Sequence, residues 1–467
     1  MTVSPVATRN VRASFIAMVV AIAVWVYLMP PPAAVRAETL HAGALLILVI
    51  GLWALGALPE YLTGLIFFLL AMLLAIVPPN VVFSGFASST LWLVLGGLIL
   101  AAAVTHTGLG ERFARLLLDR FSLSYAGLIA IVVLVSVLLA FVMPATVSRV
   151  LLLIPILTAA AARMGFAPGS NGYNGICLAA IMGTYQCGTS VLPANAPNLI
   201  LAGAAETLYH AHLTYAEYLY LQFPVMGVLK GLAIVLLIRL LFPATLQSSA
   251  DTRVTRKPMS AAEWRLAAIL LAALLLWMTD FIHGIQPGWV ALAAAIVCLL
   301  PRVGAVPLTV FNERVRFGPF FYIAAVLGVG SMMSASGLGQ ALGHILQNAL
   351  ELVPHHDARN FASLTLLGTF TGLATINTVQ PAVLAPLAGH FATLAHWPVK
   401  AALMTMAIGF GTVFLPYQVP PIVVGLQLAG IPLRTALRLT LPLAVLSLVV
   451  LFPVDYFWWR TVGYFGH

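Results

Sequence analysis

The stretch from Phe141 to Arg149 breaks an otherwise apolar run with a proline, two hydroxyls and an arginine, and no other feature constrains the fold as much. Residues 125–142 before it and 150–162 after it read as membrane helices. Backbone polar groups at that depth find no water, so irregular chain is tolerated only where it is buried in protein or lines a wet cavity. A second break of the same kind runs from Thr371 to Pro381, through Thr375, Asn377 and Thr378. Two interrupted segments in corresponding halves of a membrane chain point to a binding site between them. The expectation is that two hairpin tips, 144–149 and 375–378, face each other across one small solute.

The membrane reading itself rests on composition. Of 467 residues, 62% are hydrophobic and 7% charged, against about a quarter charged in soluble domains. Many runs approach the ~20 apolar residues that a spanning helix needs. The net charge of +9 is carried in loops between spans, as the bias of Lys and Arg toward cytoplasmic loops predicts. Nucleic acid is therefore not an expected partner; the lipid bilayer is. Cys177, Cys187 and Cys298 lie in apolar stretches without CxxC spacing and read as small core packers. The first apolar run, 14–30, follows Arg9 and Arg12 and ends at Pro30-Pro31-Pro32. It reads as a retained anchor rather than a cleaved signal.

Spans near 40–58, 61–77 and 88–105 lead to an amphipathic segment at 110–121, the first hairpin at 125–162, an interrupted span at 174–205 and a last span at 218–241. A polar linker with Arg253, Arg256 and Lys257 follows, and then the order returns: 266–283, 287–300, 319–336, an amphipathic 337–353, a hairpin at 361–395, an interrupted span at 400–430 and a last span at 435–457. Thr107-Gly108-Leu109-Gly110 and Ser336-Gly337-Leu338-Gly339 stand at matching places. If each hairpin returns to the side it entered, each half crosses five times and the halves are inverted. With a cytoplasmic N-terminus, sixteen Lys and Arg fall on the cytoplasmic side and only Arg36, Arg359, Lys400 and Arg460 outside. Arg149 and Lys230 are left within the membrane, and the C-terminus is periplasmic or extracellular. The sequence thus predicts an all-α polytopic membrane protein of about eleven transmembrane helices built as an inverted repeat. Its parts are an N-terminal anchor helix (1–39), a first repeat (40–245), a cytoplasmic linker (246–265) and a second repeat (266–467). Each repeat is a five-helix unit with a re-entrant hairpin and a broken transmembrane helix.

The run Trp53-Ala54-Leu55-Gly56-Ala57-Leu58-Pro59, then Phe83-Ser84-Gly85-Phe86-Ala87-Ser88-Ser89-Thr90-Leu91-Trp92 and the Thr107-Gly108-Leu109-Gly110 turn, resembles the divalent anion/sodium symporter family. This is the solute carrier 13 group of the ion transporter superfamily, and the similarity runs from about Leu40 onward. The family's Ser-Asn-Thr triplet at each hairpin tip stands here as Pro144-Ala145-Thr146 and Ile376-Asn377-Thr378. Its Thr-Pro-Pro-Asn-like break stands as Ala196-Pro197-Asn198 and Val419-Pro420-Pro421-Ile422. The resemblance implies an elevator-type, homodimeric inner-membrane carrier for a di- or tricarboxylate or an oxyanion. In sodium-coupled members each hairpin Asn belongs to a region that helps form a sodium site. The first tip has Ala145 in place of that Asn, so one sodium site at most is expected.

An anion at mid-membrane calls for donors that cost little desolvation, and helix N-termini supply free N–H groups and partial positive charge. A helix starting near Val147 brings Thr146 and Ser148 to the site, and Asn377 and Thr378 stand in the same place at the second tip. Arg149 is an arginine within a membrane segment, a functional hypothesis by default, and its planar fork suits a carboxylate. It reads as a tethered positive charge in place of a sodium, which favours anion exchange; the alternative is an arginine snorkelling to the lipid surface. Asn198, Gln418 and Pro420 complete the expected substrate set, with Gln186 and Asn195 behind them. Thr375 and Asn377, with carbonyls near Ala374 and Gln418, form the one expected sodium site, and no other cofactor is implied. The bland alternative is that these hydroxyls and amides only cap or bond their own hairpins. Lys230 bonds a carbonyl or snorkels, and Trp458-Trp459 reads as an interfacial belt.

These readings converge on a secondary active transporter, symporter or exchanger, for a small anion, foremost a di- or tricarboxylate. Sulfate or arsenite permeation and sodium/proton exchange are the neighbouring alternatives. A proton antiporter wants a membrane-embedded carboxylate, and neither break contains Asp or Glu. An intramembrane acyltransferase using His355 or His356 with Asp357 lacks a nucleophile motif and a formed pocket, so an enzyme is not expected. With no GxxxxGK[ST] loop, neither is direct ATP hydrolysis.

Overall fold

The computed structural model describes residues 5–32, 36–121, 124–143, 145–246 and 258–466, and among them every regular element is helical. Pro144 and the linker residues Arg253, Arg256 and Lys257 lie outside the described residues. The helix Pro5–Leu28 packs on Ala37–Ala54. The first half continues with Glu60–Leu73, Ser89–Thr107, the surface helix Leu109–Phe121 and a hairpin of Tyr125–Val142 and Thr146–Arg163. A span broken between Asn171–Met182 and Ala196–Tyr209 follows, and then a long span over Tyr215–Leu241.

The second half repeats this order. Its three spans are Ala261–Met278, Pro287–Leu299 and Gly318–Ala335, followed by the surface helix Leu338–Leu350. Its hairpin descends through Asp357–Ala374 and returns through Gln380–Leu384 and Ala388–Ala395. Its broken span is Val399–Phe410 and Pro420–Leu428, and its last span covers Leu433–Thr461. Among the described residues, eight helices of at least 18 residues are apolar enough to cross a membrane, two of them the legs of the first hairpin. Setting those legs aside leaves six; the shorter apolar helices Ala13–Leu28, Glu60–Leu73 and Pro287–Leu299 and the two broken spans bring the set to eleven.

The two halves interlock reciprocally. Ser89–Thr107 of the first packs on Pro287–Leu299 of the second, and Gly318–Ala335 of the second packs on Glu60–Leu73 of the first. Lipid tails are as apolar as leucine, so such contacts depend on close backbone approach through small residues. A Cβ on Gly288 would lie 1.9 Å from the Ser89 carbonyl oxygen, and in the matching contact a Cβ on Gly64 would lie 2.7 Å from the Ala325 Cβ. The turn motifs match in conformation too: Gly108 (φ 77°) and Gly337 (φ 74°) both take the left-handed backbone that ends one helix and starts the surface helix.

One helix boundary and one side-chain placement differ from expectation for local reasons. The span expected from 266 begins at Ala261, inside the expected linker, because Ser260 and Glu263 form a reciprocal capping box. Arg112 of the first surface helix then clamps Glu263, with Nε 2.6 Å from one carboxylate oxygen. The Trp458-Trp459 pair also divides. Trp459 is fully buried, edge-on to Phe361 at 5.2 Å, whereas the indole N–H of Trp458 reaches the Tyr220 carbonyl near the surface. The helix continues through both residues, and successive side chains point about 100° apart, so the belt reading fails for Trp459.

Gly288→Leu drives a side chain into the Ser89 backbone. The expected result is destabilisation by about 1–3 kcal/mol or more, read as a lowered melting temperature in detergent, with Gly430→Leu, where no atom lies within 4 Å, as the control for a residue-specific strain effect at an open position.

Candidate functional site

Each hairpin tip meets the unwound middle of a broken span. At the first, the returning helix begins at Thr146. Its hydroxyl lies 2.9 Å from the Ala194 carbonyl and within reach of Asn195 Oδ1. One turn on, Arg149 is 0% exposed. Its Nη2 donates to the same Ala194 carbonyl at 2.8 Å and to Thr146 Oγ1 at 3.3 Å. The guanidinium lies against Gly188, where a Cβ would stand 3.1 Å from Nη2. Among the described residues, Arg149 Nε and Nη1 have no hydrogen-bond partner. An arginine so placed does not snorkel, which removes that alternative. Ser148 stands half-buried beside it.

The second tip is held by neutral amides. Asn377 donates its backbone N–H to the Gln418 carbonyl at 2.9 Å and its Nδ2 to the Phe410 carbonyl at 2.6 Å. Gln418 Oε1 accepts from the backbone N–H groups of Phe414 and Leu415, and its Nε2 donates to the Gly372 carbonyl at 2.6 Å. Each polar atom of that side chain is thereby engaged with backbone that the break leaves without helical partners. Thr375 turns its hydroxyl back to the Thr371 carbonyl at 2.9 Å. Thr378 is half-buried beside Tyr322. Pro420 opens the helix after the break, where its missing N–H costs no hydrogen bond.

The two tips are linked through Tyr185, a residue that sequence reasoning passed over. It lies in a π-helical turn, Gly183–Cys187, that interrupts the first broken span, a feature frequent at functional sites. Its hydroxyl donates to the Phe410 carbonyl at 3.1 Å and accepts from Asn377 Nδ2 at 3.3 Å. Its carbonyl accepts from Asn195 Nδ2 at 3.3 Å. A connected path therefore runs from Arg149 through Thr146, Asn195 and Tyr185 to Asn377. Nothing in the order of residues marks Tyr185, since it stands within an apolar helix and is distinguished only by where the π turn aims it.

Asn198 sits behind the first break, its Nδ2 donating to the Thr189 and Val191 carbonyls at 3.1 and 2.8 Å. Several buried atoms around these breaks are left without a partner: Arg149 Nε and Nη1, both side-chain heteroatoms of Gln186, Asn198 Oδ1 and Asn377 Oδ1. Buried polar groups are nearly always satisfied, so such a concentration calls for water, an ion or a ligand. Its chemistry is donor-rich and cationic on the first side. On the second side it offers the amide oxygen of Asn377.

Glu206 is a second residue missed by the sequence reading. From the far half of the first broken span its carboxylate accepts from Ser88 Oγ at 2.6 Å, Ser89 N at 3.0 Å and Thr90 N at 3.3 Å. It thus ties the broken span to the start of Ser89–Thr107. Asp280 does the converse from the second half, taking the Tyr215 N–H at 2.5 Å at the start of the first half's last span. His355 and His356 are exposed in a loop away from both breaks.

The family described as the sodium:sulfate symporter transmembrane region matches residues 10–465. A membrane protein of Cupriavidus necator is 26% identical over 396 residues, covering 82% of this chain and 76% of its own. An L-tartrate/succinate antiporter of Escherichia coli K12 is 25% identical over 403 residues, covering 81% of this chain and 80% of its own. In fold, the chain is similar to the YdaH transporter of Alcanivorax borkumensis, with a TM-score of 0.61 at 18% identity over 92% of this chain and 99% of the other. With that match spanning nearly the whole sequence, and paired hairpins set against paired broken spans, the chain belongs to the sodium:sulfate symporter family of membrane transporters, the divalent anion/sodium symporter group that its motifs resemble.

Proposed function

We propose that this protein is a secondary carrier that exchanges small di- or tricarboxylates across the bacterial inner membrane, as a homodimer with its N-terminus in the cytoplasm. The single observation that carries the reading is Arg149, fully buried, with two nitrogens unpartnered and no carboxylate in either break to neutralise it. A buried charge without a counter-charge is strongly disfavoured, and a bound carboxylate satisfies both the charge and the open donors in one bidentate contact. Thr146 and Ser148 stand beside that position and Asn198 behind the first break, and on this reading Thr378 and Pro420 contribute from the second break, whose backbone Gln418 holds. The similarity to L-tartrate/succinate antiporters supports a dicarboxylate as the substrate.

Exchange follows from the same residue. Arg149 fills with a fixed charge the place where a sodium-coupled carrier takes up a mobile one. At the second break Thr375 donates its hydroxyl proton to the Thr371 carbonyl, which leaves its oxygen lone pairs available, and Asn377 Oδ1 has no partner among the described residues, so both side-chain oxygens of the expected sodium pair stay open to a cation. Alternating access is then an elevator movement of the hairpins and broken spans against the interlocked outer spans. The Glu206 and Asp280 contacts are among the bonds that this movement breaks and remakes.

Counterflow in proteoliposomes with labelled succinate, tartrate, citrate and sulfate tests the substrate. The expected result is uptake of a dicarboxylate against unlabelled internal dicarboxylate, with the same rate in sodium and in choline. Arg149→Gln is expected to weaken substrate binding by about 2 kcal/mol or more, some thirtyfold, with membrane insertion intact; unaltered exchange removes Arg149 from the site. If sodium does accelerate uptake, the second break supplies the ion site, and Asn377→Ala is expected to remove the acceleration while leaving sodium-free exchange measurable.

A further inference from the structure

Two charged side chains are buried in the last spans of the two halves and have no part in the mechanism so far. Lys230 and Asp455 are both fully buried. Lys230 directly follows the π-helical stretch Phe223–Leu229, and Asp455 lies in the helix that directly follows the π-helical stretch Ser447–Leu451. Charged side chains at such depth are costly and mark ion pathways and proton relays. The two belong to corresponding spans of opposite halves, so the inverted repeat brings an ammonium and a carboxylate toward each other across its axis.

Lys230 also touches the site. Its Nζ donates to the Gly411 carbonyl at 2.5 Å. Gly411 is the first residue of the unwound stretch of the second broken span, next to Phe410, whose carbonyl takes the bonds from Asn377 and Tyr185. On its other side, Lys230 faces Cys187 at the end of the π turn that carries Tyr185. The titratable groups around Lys230 are thus Cys187 and Asp455; those facing Asp455 are Lys230 and, beside it, the Trp459 indole. No ion pair within 4.0 Å joins Lys230 to Asp455 among the described residues, and neither residue is in contact with solvent.

We propose that Lys230 and Asp455 form a proton-binding site linked to anion binding at the breaks, so that a proton on Asp455 and a dianion between the hairpin tips favour each other. The inference rests on the carboxylate-exchange reading for its substrate but not for the proton itself. With Asp455 ionised, the carboxylate cancels the Lys230 ammonium and the built-in charge at the breaks is that of Arg149 alone. In a state of the transport cycle that admits water, a hydronium ion gives its proton to an Asp455 carboxylate oxygen; one hydronium O–H bond breaks as the carboxyl O–H forms, water leaves, and the Lys230 charge is left uncancelled behind Gly411. Arg149 and Lys230 then together match two negative charges. By linkage, whatever the dianion gains from the bound proton the proton gains from the dianion. Lys230 acts here through Gly411 and the field it sets, as a positioning and electrostatic residue rather than a substrate ligand.

Infrared difference spectroscopy on the full-length protein, titrated from mildly acid to mildly alkaline pH without substrate, tests the site directly. A protonated-carboxyl band present in the wild type and missing from Asp455→Asn is expected. Lys230→Gln, which keeps Asp455 but removes its cation, is expected to extend that band to more alkaline pH. Absence of an Asp455-dependent band, or a band that Lys230→Gln does not move, overturns the proposal, and the second variant decides the matter if the first does not fold. The transport arm measures the KM of labelled succinate counterflow over the pH range where succinate stays a dianion. One linked proton allows up to about a tenfold fall in KM per pH unit on acidification. Asp455→Asn is expected to flatten that slope; an unchanged slope overturns the linkage. Wild-type protein that shows the infrared titration but carries no succinate refutes the dicarboxylate substrate and leaves the proton site standing.

Discussion

Two stretches of backbone, 183–195 and 411–419, leave the α-helical path in short π and 3-10 turns in the middle of an otherwise α-helical membrane protein, and everything around them serves to satisfy their polar groups. Water is absent at that depth, so each loose N–H and C=O must be met by protein or ligand. The second stretch is stitched by Gln418 and Asn377, with each donor and acceptor of the Gln418 side chain engaged. The first is stitched by Asn195, Asn198 and Thr146, and at Ala194 by Arg149. Asn195, Asn198 and Gln418 belong to the broken spans themselves, and each hairpin tip adds what they leave undone: Thr146 and Arg149 at the first break, Asn377 at the second. The returning leg brings side chains in from outside the span, and this is why hairpin and broken span occur as a pair in both halves.

Much of this was legible in the sequence because membrane physics leaves few solutions. Apolar run lengths, the two interruptions and the loop charges were enough for the inverted order of spans, and the Gly108 and Gly337 turns stand where the repeat requires them. The site was only partly legible. Arg149, Asn377 and Gln418 announce themselves as polar residues in apolar runs. Tyr185 and Glu206 do not: one depends on a π turn that no pattern marks, and the other on a long-range cap between residues more than a hundred positions apart. Ser88-Ser89-Thr90 was visible as a motif, but its partner was not. Trp459 shows the complementary failure, since a pair of tryptophans near a span end says nothing about which way each one faces.

The halves match in backbone but not in charge, and the mismatch is informative. An inverted repeat predicts that what one break uses, the other uses too. Here the second tip keeps an asparagine whose amide spans Phe410 and Tyr185, whereas the first has Ala145 and relies on a guanidinium from one turn further along. Backbone symmetry with chemical asymmetry sets a permanently charged wall at the first break against a neutral, oxygen-bearing wall at the second.

Permanence of charge is the property that separates this arrangement from one with bound ions. Arginine holds its proton at any physiological pH, so the first wall is as positive in the empty carrier as in the loaded one. Carrying that bare charge through the apolar middle of the protein is costly, and a bound anion removes the cost. In the proposed exchange the loaded carrier crosses more readily than the empty one, so each inward passage is followed by an outward passage with another anion. A carrier whose positive charge arrives as a mobile ion can shed it and return empty. The tether forbids that, and the proposed exchange is then a consequence of one side chain being covalently part of the wall.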